Sequence, residues 1–107
     1  MWHDLKLERV GKIEKTVAEF TVWMSAVLPY AKMKVKIYEG QSGRYTGRTD
    51  LAIKRKFDGC PECAVGFGNS VEEALEDTIK YFNSILKTDG FDELTEDDIE
   101  YSEYSDF

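Results

Sequence analysis

Apolar positions recur along this chain with two different periods. Residues 32–38, KMKVKIY, alternate strictly, with Lys32, Lys34 and Lys36 between Met33, Val35 and Ile37. A period of two puts the lysines on one face of a strand and the apolar side chains on the other. Residues 49–57, TDLAIKRKF, alternate again: Leu51, Ile53 and Phe57 inward, Lys54 and Lys56 outward, with Arg55 out of step. EGQSGRYTGR supplies a glycine-rich turn between them. Asp58-Gly59 is a hairpin signal, and CAVGF, residues 63–67, is a short third strand with Val65 and Phe67 on one face.

The period then lengthens. Val71, Leu75, Ile79, Phe82 and Leu86 form a helical stripe. Ser70 is an N-cap with Glu73 three residues on, a capping-box spacing. Glu72, Glu73, Glu76 and Asp77 load the first turns, where the helix dipole favours negative charge, and Gly90 is a stop just past the end. Residues 10–28 carry both signals. Val10, Ile13, Val17, Phe20, Met24 and Val27 fall at helical spacing, while Thr16, Val17, Phe20, Thr21, Val22 and Trp23 are strand formers. The spacing predicts a helix, ended by Pro29.

The expected fold class is therefore α+β: a three-stranded antiparallel sheet with two helices packed on one face, in the order α-β-β-β-α, leaving the lysine face in water. Residues 1–90 read as a single domain and 91–107 as an acidic C-terminal extension. In that extension Thr95 could cap a short acidic helix, docked through Phe91, Leu94 and Ile99 or left loose.

Composition and charge sharpen this picture. The 107 residues, 42% hydrophobic and 13% aromatic, suit one folded domain. No apolar run approaches the roughly 20 residues that span a bilayer, and MWHDLKLERV lacks an apolar leader, so a soluble, cytoplasmic protein is expected. The net charge of -7 argues against simple attraction to nucleic acid. It is unevenly placed: residues 32–56 carry eight Lys or Arg against two acids, and residues 88–107 carry nine acids and no base.

Little catalytic chemistry is visible. Cys60-Pro61-Glu62-Cys63 resembles one knuckle of a zinc ribbon, but zinc needs four ligands, so this is a half-site and a plain turn is the default. A redox pair would want its first cysteine at a helix N-terminus, and here a strand follows. His3, the sole histidine, lies in a terminus expected to fray. No Ser/His/Asp set has a credible spacing. No enzyme activity and no cofactor are expected.

Two charged surfaces remain. Lys32, Lys34, Lys36, Lys54 and Lys56, with Arg44 and Arg48, could track a phosphate backbone, or be an ordinary solvated sheet face that discourages strand aggregation. Glu72, Glu73, Glu76, Asp77, Asp92, Glu93, Glu96, Asp97, Asp98, Glu100, Glu103 and Asp106 form the opposite pole, with Tyr101, Tyr104 and Phe107 interleaved. Spaced acids can imitate phosphates and occupy a basic nucleic-acid channel, and tyrosines bind at low entropic cost. A merely solubilising tail is the alternative.

The stretch GFGNSVEEAL resembles the double-stranded RNA-binding domain, which places Gly-x-Gly-x-Ser between its third strand and second helix. Gly66, Gly68, Ser70 and Ala74 stand at matching positions, whereas Val71, Glu72 and Leu75 replace the basic residues that reach phosphates in that family. Its Gly-Pro-x-His loop is replaced by EGQSGRYTGR. The likeness spans about residues 30–87. SVEEALEDTIKYF is also similar to the small antitoxin domains of HicB type, which run three strands into such a helix and pair with a small basic toxin. In character the chain is similar to small acidic phage proteins that counter host defence, including anti-CRISPR proteins. That likeness implies a non-enzymatic inhibitor acting in the host cytoplasm on a protein partner, a nucleic-acid-handling enzyme such as a CRISPR effector, with no membrane partner and a homodimer left open. The alternatives are a nucleic-acid-binding module using the lysine face, or an antitoxin.

Overall fold

The computed structural model describes residues 1–102 and 107. Strands β1 (Glu14–Trp23), β2 (Lys32–Gly40), β3 (Tyr45–Lys54) and β4 (Pro61–Gly68) lie in sequence order in one antiparallel sheet. Helix α1 (Val71–Asp89) follows, and a short strand β5 (Ile99–Tyr101) returns to pair with Leu51, Ala52 and Ile53 of β3. The protein is α+β as expected. The sheet, however, has four consecutive strands plus β5 rather than three, and α1 is the one α-helix among the described residues.

The segment expected to be the first helix is β1. Ala18, Phe20 and Val22 pair with Ile37, Val35 and Met33 of β2, and so share their inward face. A bulge falls between Thr16 and Ala18. The extra residue, Val17, shifts the period of two by one position, which brings the apolar residues to a spacing that imitates a helix. Branched and aromatic side chains then decide, because a pleated surface leaves them more freedom than a helix does. Past β1, the Leu28 N–H donates to the Met24 carbonyl at 2.9 Å, and Met24 N–H donates to Ala31 at 2.8 Å, closing the turn into β2.

Helix α1 is capped as the sequence predicts. The Ser70 hydroxyl accepts the Glu73 N–H at 3.1 Å. Gly90 adopts a left-handed φ of 71°, and the Phe91 N–H donates to the Leu86 carbonyl at 2.9 Å. The buried stripe is rotated from the expected one. Ala74, Thr78, Phe82, Ile85 and Leu86 face the sheet, while Val71, Leu75 and Ile79 are half-buried.

Glycine is the reason. Gly47 of β3 pairs with Gly66 of β4, and Gly68 lies two residues on, on the same face. A methyl on Gly66 would sit 2.2 Å from the Thr78 backbone nitrogen, and one on Gly68 would sit 2.7 Å from that of Ala74. The helix therefore rests on bare backbone at its N-terminal half, where its own small residues, Ala74 and Thr78, match the gap. The Thr78 hydroxyl donates to the Ala74 carbonyl at 2.7 Å, so its burial leaves no polar group unsatisfied. The larger side chains of Met33, Val35, Ile37, Leu51, Ile53, Phe82 and Ile85 fill the rest of the core, joined by Leu94 and Ile99 from the tail.

Phe57, expected inward, is 77% exposed. Strand β3 ends at Lys54, so Phe57 belongs to the turn, where Arg55 lies over its ring.

Gly66→Ala should be among the most damaging small substitutions here, lowering the unfolding free energy in urea by about 3 kcal/mol or abolishing folding. Gly11→Ala, where nothing lies within 4 Å of the added carbon, should change it by less than about 0.5 kcal/mol.

Candidate functional site

Strands β2 and β3 pair only as far as Val35 and Thr49, and then part. The split begins where β3 slips register against β4 between Arg48 and Ala52. Thr49, fully buried, holds the slip together: its hydroxyl donates to the Leu51 carbonyl at 2.8 Å and accepts the Ala64 N–H at 3.1 Å. Asp50 sits at the fork. Its Oδ1 accepts the Lys34 N–H of β2 at 2.9 Å, and its carbonyl accepts the Ser102 N–H at 2.7 Å, just past β5. One residue thus ties three strands. Burial pushes the Asp50 carboxyl above its ordinary value, against the lowering effect of the Lys34 N–H.

Around this fork lies a groove of about 280 Å³ lined by Tyr30, Lys32, Met33, Lys34, Asp50 and Tyr101. The Tyr30 and Tyr101 rings stand 6.0 Å apart and tilted by 52°. The Tyr101 hydroxyl donates to the Lys32 carbonyl at 3.3 Å, and the Tyr30 hydroxyl donates to Glu96, which holds the Tyr30 proton above its ordinary pKa. Trp23 extends the aromatic surface, with the Lys32 ammonium 5.2 Å from its ring. Trp23, Tyr30 and Tyr101 are 66%, 55% and 40% exposed.

The acidic residues divide into two groups. Glu72, Glu73, Glu76 and Asp77 lie in the first two turns of α1. Asp92, Glu93, Glu96, Asp97, Asp98 and Glu100 follow its other end, about 28 Å away at 1.5 Å per residue. Several have local tasks. Glu76 pairs with Lys80 at 2.8 Å, Asp77 accepts the Phe67 N–H on the β4 edge at 2.9 Å, and Asp98 accepts both the N–H and the hydroxyl of Thr95. The Leu94 N–H donates to the Val27 carbonyl at 2.7 Å, which seats the tail beside the β1–β2 turn. Glu96, bonded to the Tyr30 hydroxyl, therefore stands at the rim of the aromatic groove, while Glu100 is exposed on β5 next to Tyr101 in the chain. Glu103, Tyr104 and Asp106 lie outside the described residues.

The cationic residues are distributed differently from the expected open face. Lys36 is 9% exposed, its ammonium 4.5 Å from the Phe107 ring and donating to the Phe107 carbonyl at 3.1 Å. Lys56 lies over Phe91 at 4.4 Å. Lys34 and Lys54 are half-buried, and Arg44 and Arg48 are exposed toward the opposite end of β3. The expected lysine row is thus broken by aromatic partners. Such contacts contribute about 0.5–1 kcal/mol each at exposed sites.

Arg55, out of step in the sequence, anchors the C-terminal end of α1. It grips Asp89 with Nε at 2.9 Å and Nη2 at 3.1 Å, and reaches Glu62 with Nη1 at 2.9 Å; Tyr81 also donates to Glu62. Cys60 is exposed and Cys63 half-buried, both as free thiols. Asp58 pushes the Cys60 thiol up, which disfavours the thiolate. Among the described residues no group of three or more His, Cys, Asp or Glu is placed to hold a metal. His3 is pinned rather than frayed, its Nε2 2.7 Å from Glu39. No helix among the described residues is long and apolar enough to cross a membrane.

The local pattern of the sequence leaves Trp23, Tyr30 and Asp50 out of any site. They come from three separate parts of the chain, β1, the β1–β2 turn and β3, and the only local signal was a pair of aromatic residues flanking a proline turn. Compared with known proteins, the chain matches no family model, no curated protein and no solved structure significantly.

Arg55 holds the Asp89 carboxyl below its ordinary 3.8, first through the hydrogen bond and then with the Lys56 N–H. A carboxyl depressed in the folded state stabilises above the unfolded value and loses that contribution as pH falls through the folded one. Asp89→Asn should therefore lower stability in urea at pH 7, and the difference from the parent should shrink as pH falls below the ordinary carboxyl range.

Proposed function

We propose that this is a non-enzymatic binding protein that seats its acidic, aromatic end on a basic surface of a protein partner. The observation that carries this reading is the exposure of Trp23, Tyr30 and Tyr101 at one end of the sheet, with Glu96 bonded to Tyr30 and Glu100 exposed on the same short strand as Tyr101. Tryptophan and tyrosine supply most of the energy at protein interfaces, because they bury large rigid surfaces. Carboxylates around them steer a basic partner and reject an acidic one.

A basic surface that accepts this pattern is of the kind that ordinarily holds nucleic acid. The partner class is accordingly a nucleic-acid-handling enzyme, a CRISPR effector among them, and occupation of its channel makes the protein an inhibitor of anti-defence type. A small basic toxin would meet the same end by the same forces, so an antitoxin role shares this surface. Direct nucleic-acid binding on the lysine face is less supported, since Lys36 is covered by Phe107 and Lys32 and Lys56 lie on aromatic rings.

The test compares the parent with Asp97→Asn, Glu100→Gln and Tyr101→Ala combined, which leaves the Asp98 cap intact. Partners captured from host cells are purified and their affinity measured by calorimetry. The triple variant should bind at least about tenfold more weakly, and the parent alone should give no gel shift with duplex RNA or DNA. Unchanged affinity in the variant, or a salt-sensitive shift by the parent, would overturn the reading.

A further inference from the structure

The groove at the fork has a chemistry more specific than a general acidic surface. Tyr30 and Tyr101 present two ring faces at an angle, Met33 contributes an apolar wall, and Asp50 lines the same space with a half-buried carboxylate. Aromatic faces attract cations through their quadrupole, and most strongly where water is partly excluded. A guanidinium suits such a site better than an ammonium, because it is planar, weakly hydrated and able to fork onto a carboxylate.

Lys32 and Lys34 also line the groove and bear on its charge. The Lys32 ammonium lies 5.2 Å from the Trp23 ring, which holds its charge toward that side of the groove. Lys34 acts electrostatically on Asp50, and is the lining cation that competes with an arriving one for that carboxylate. Glu96, held by Tyr30, adds a carboxylate at the rim.

We infer that the groove beside the Tyr30–Tyr101 pair receives an arginine side chain of the partner, lying against the rings and paired with Asp50. The inference rests on the reading above and names the anchoring contact within it. The groove has room for such a side chain at about 280 Å³. The burial that raises the Asp50 pKa leaves its charge under-solvated, and an arriving guanidinium would replace the missing solvation.

The experiment titrates the full chain with the capped peptide Gly-Arg-Gly, followed by NMR of the backbone and tyrosine rings. Peptides with citrulline, lysine or leucine at the central position serve as comparisons. The arginine peptide should shift Tyr30, Asp50 and Tyr101 at millimolar concentration, and the others should do so at least about fivefold more weakly. Asp50→Asn, which keeps an acceptor for the Lys34 N–H, should weaken the response about fivefold, and Lys34→Gln should strengthen it. An equal response to citrulline, lysine or leucine, no response to arginine, or a weaker one in Lys34→Gln would each overturn the inference. If Asp50→Asn leaves partner affinity unchanged while the triple variant loses it, the groove assignment alone falls. If the triple variant keeps the partner, the broader reading falls first.

Discussion

The contact on which this structure depends is that of helix α1 with the glycines beneath it. Gly47, Gly66 and Gly68 form a patch of side-chain-free backbone, and Ala74 and Thr78 settle onto it at a distance that a single added carbon would violate. Glycine in a strand costs about 0.5–1 kcal/mol in chain entropy relative to alanine, so three of them on one face are a sizeable penalty. The return is position. The close approach fixes α1 over β3 and β4, where Phe82 and Ile85 then complete the core. It also sets a limit, because one helix cannot cover five strands. The β1–β2 edge extends past it with Ala18, Phe20 and Val22 half-buried, and the molecule is elongated, 45 by 27 by 23 Å.

The far end of the sheet follows from the same economy of cover. Where β2 leaves β3, backbone groups and apolar side chains would be open to water. Strand β5 fills part of the gap, Leu94 and Ile99 are buried there, and Thr49 and Asp50 satisfy the groups left by the change of register. This repair brings Tyr101 beside Tyr30. The aromatic groove is thus a by-product of closing the fork, and its parts come from the β1–β2 turn, β2, β3 and β5.

How much of this was legible in the sequence depends on how local each signal is. Helix α1 was, because Ser70, Glu73 and Gly90 mark its ends and the stripe runs between them. So were β2 and the second half of β3, because strict alternation has one simple geometric meaning, whereas Tyr45–Arg48, read as part of a glycine-rich turn, already belong to β3 and residues 55–57 lie beyond it. Strand β1 was not, since the bulge at Val17 breaks the alternation and lends it a helical period. Its strand formers, Thr16 and Val22 among them, were the truer guide, because they reflect side-chain freedom rather than spacing. The rotation of the α1 stripe was hidden in the glycines: Gly66 and Gly68 were noted only for their likeness to a family motif, while their role is to let the helix approach. Asp50 had no local pattern, and Tyr30 only its place with Trp23 around a proline turn; both become functional candidates only once the fork exists.

Charge makes the final connection between fold and surface. Read along the chain, the molecule is dipolar, with a basic middle and an acidic end. Folding does not keep those poles apart. Lys32, Lys36 and Lys56 settle on Trp23, Phe107 and Phe91, and Arg55 is bound by Asp89 and Glu62. Each contact lowers the outward reach of a positive charge, while Asp92, Glu93, Asp97 and Glu100 remain exposed. At a Debye length of about 8 Å in physiological salt, only charges near the surface steer an incoming partner. In a chain with a net charge of -7, these contacts pin several of its cations in place, Lys36 among them buried, while the tail acids stay open to water. Beside them stand the exposed aromatic rings, and on the proposed reading it is this combination that a cationic protein surface would meet in place of a polynucleotide.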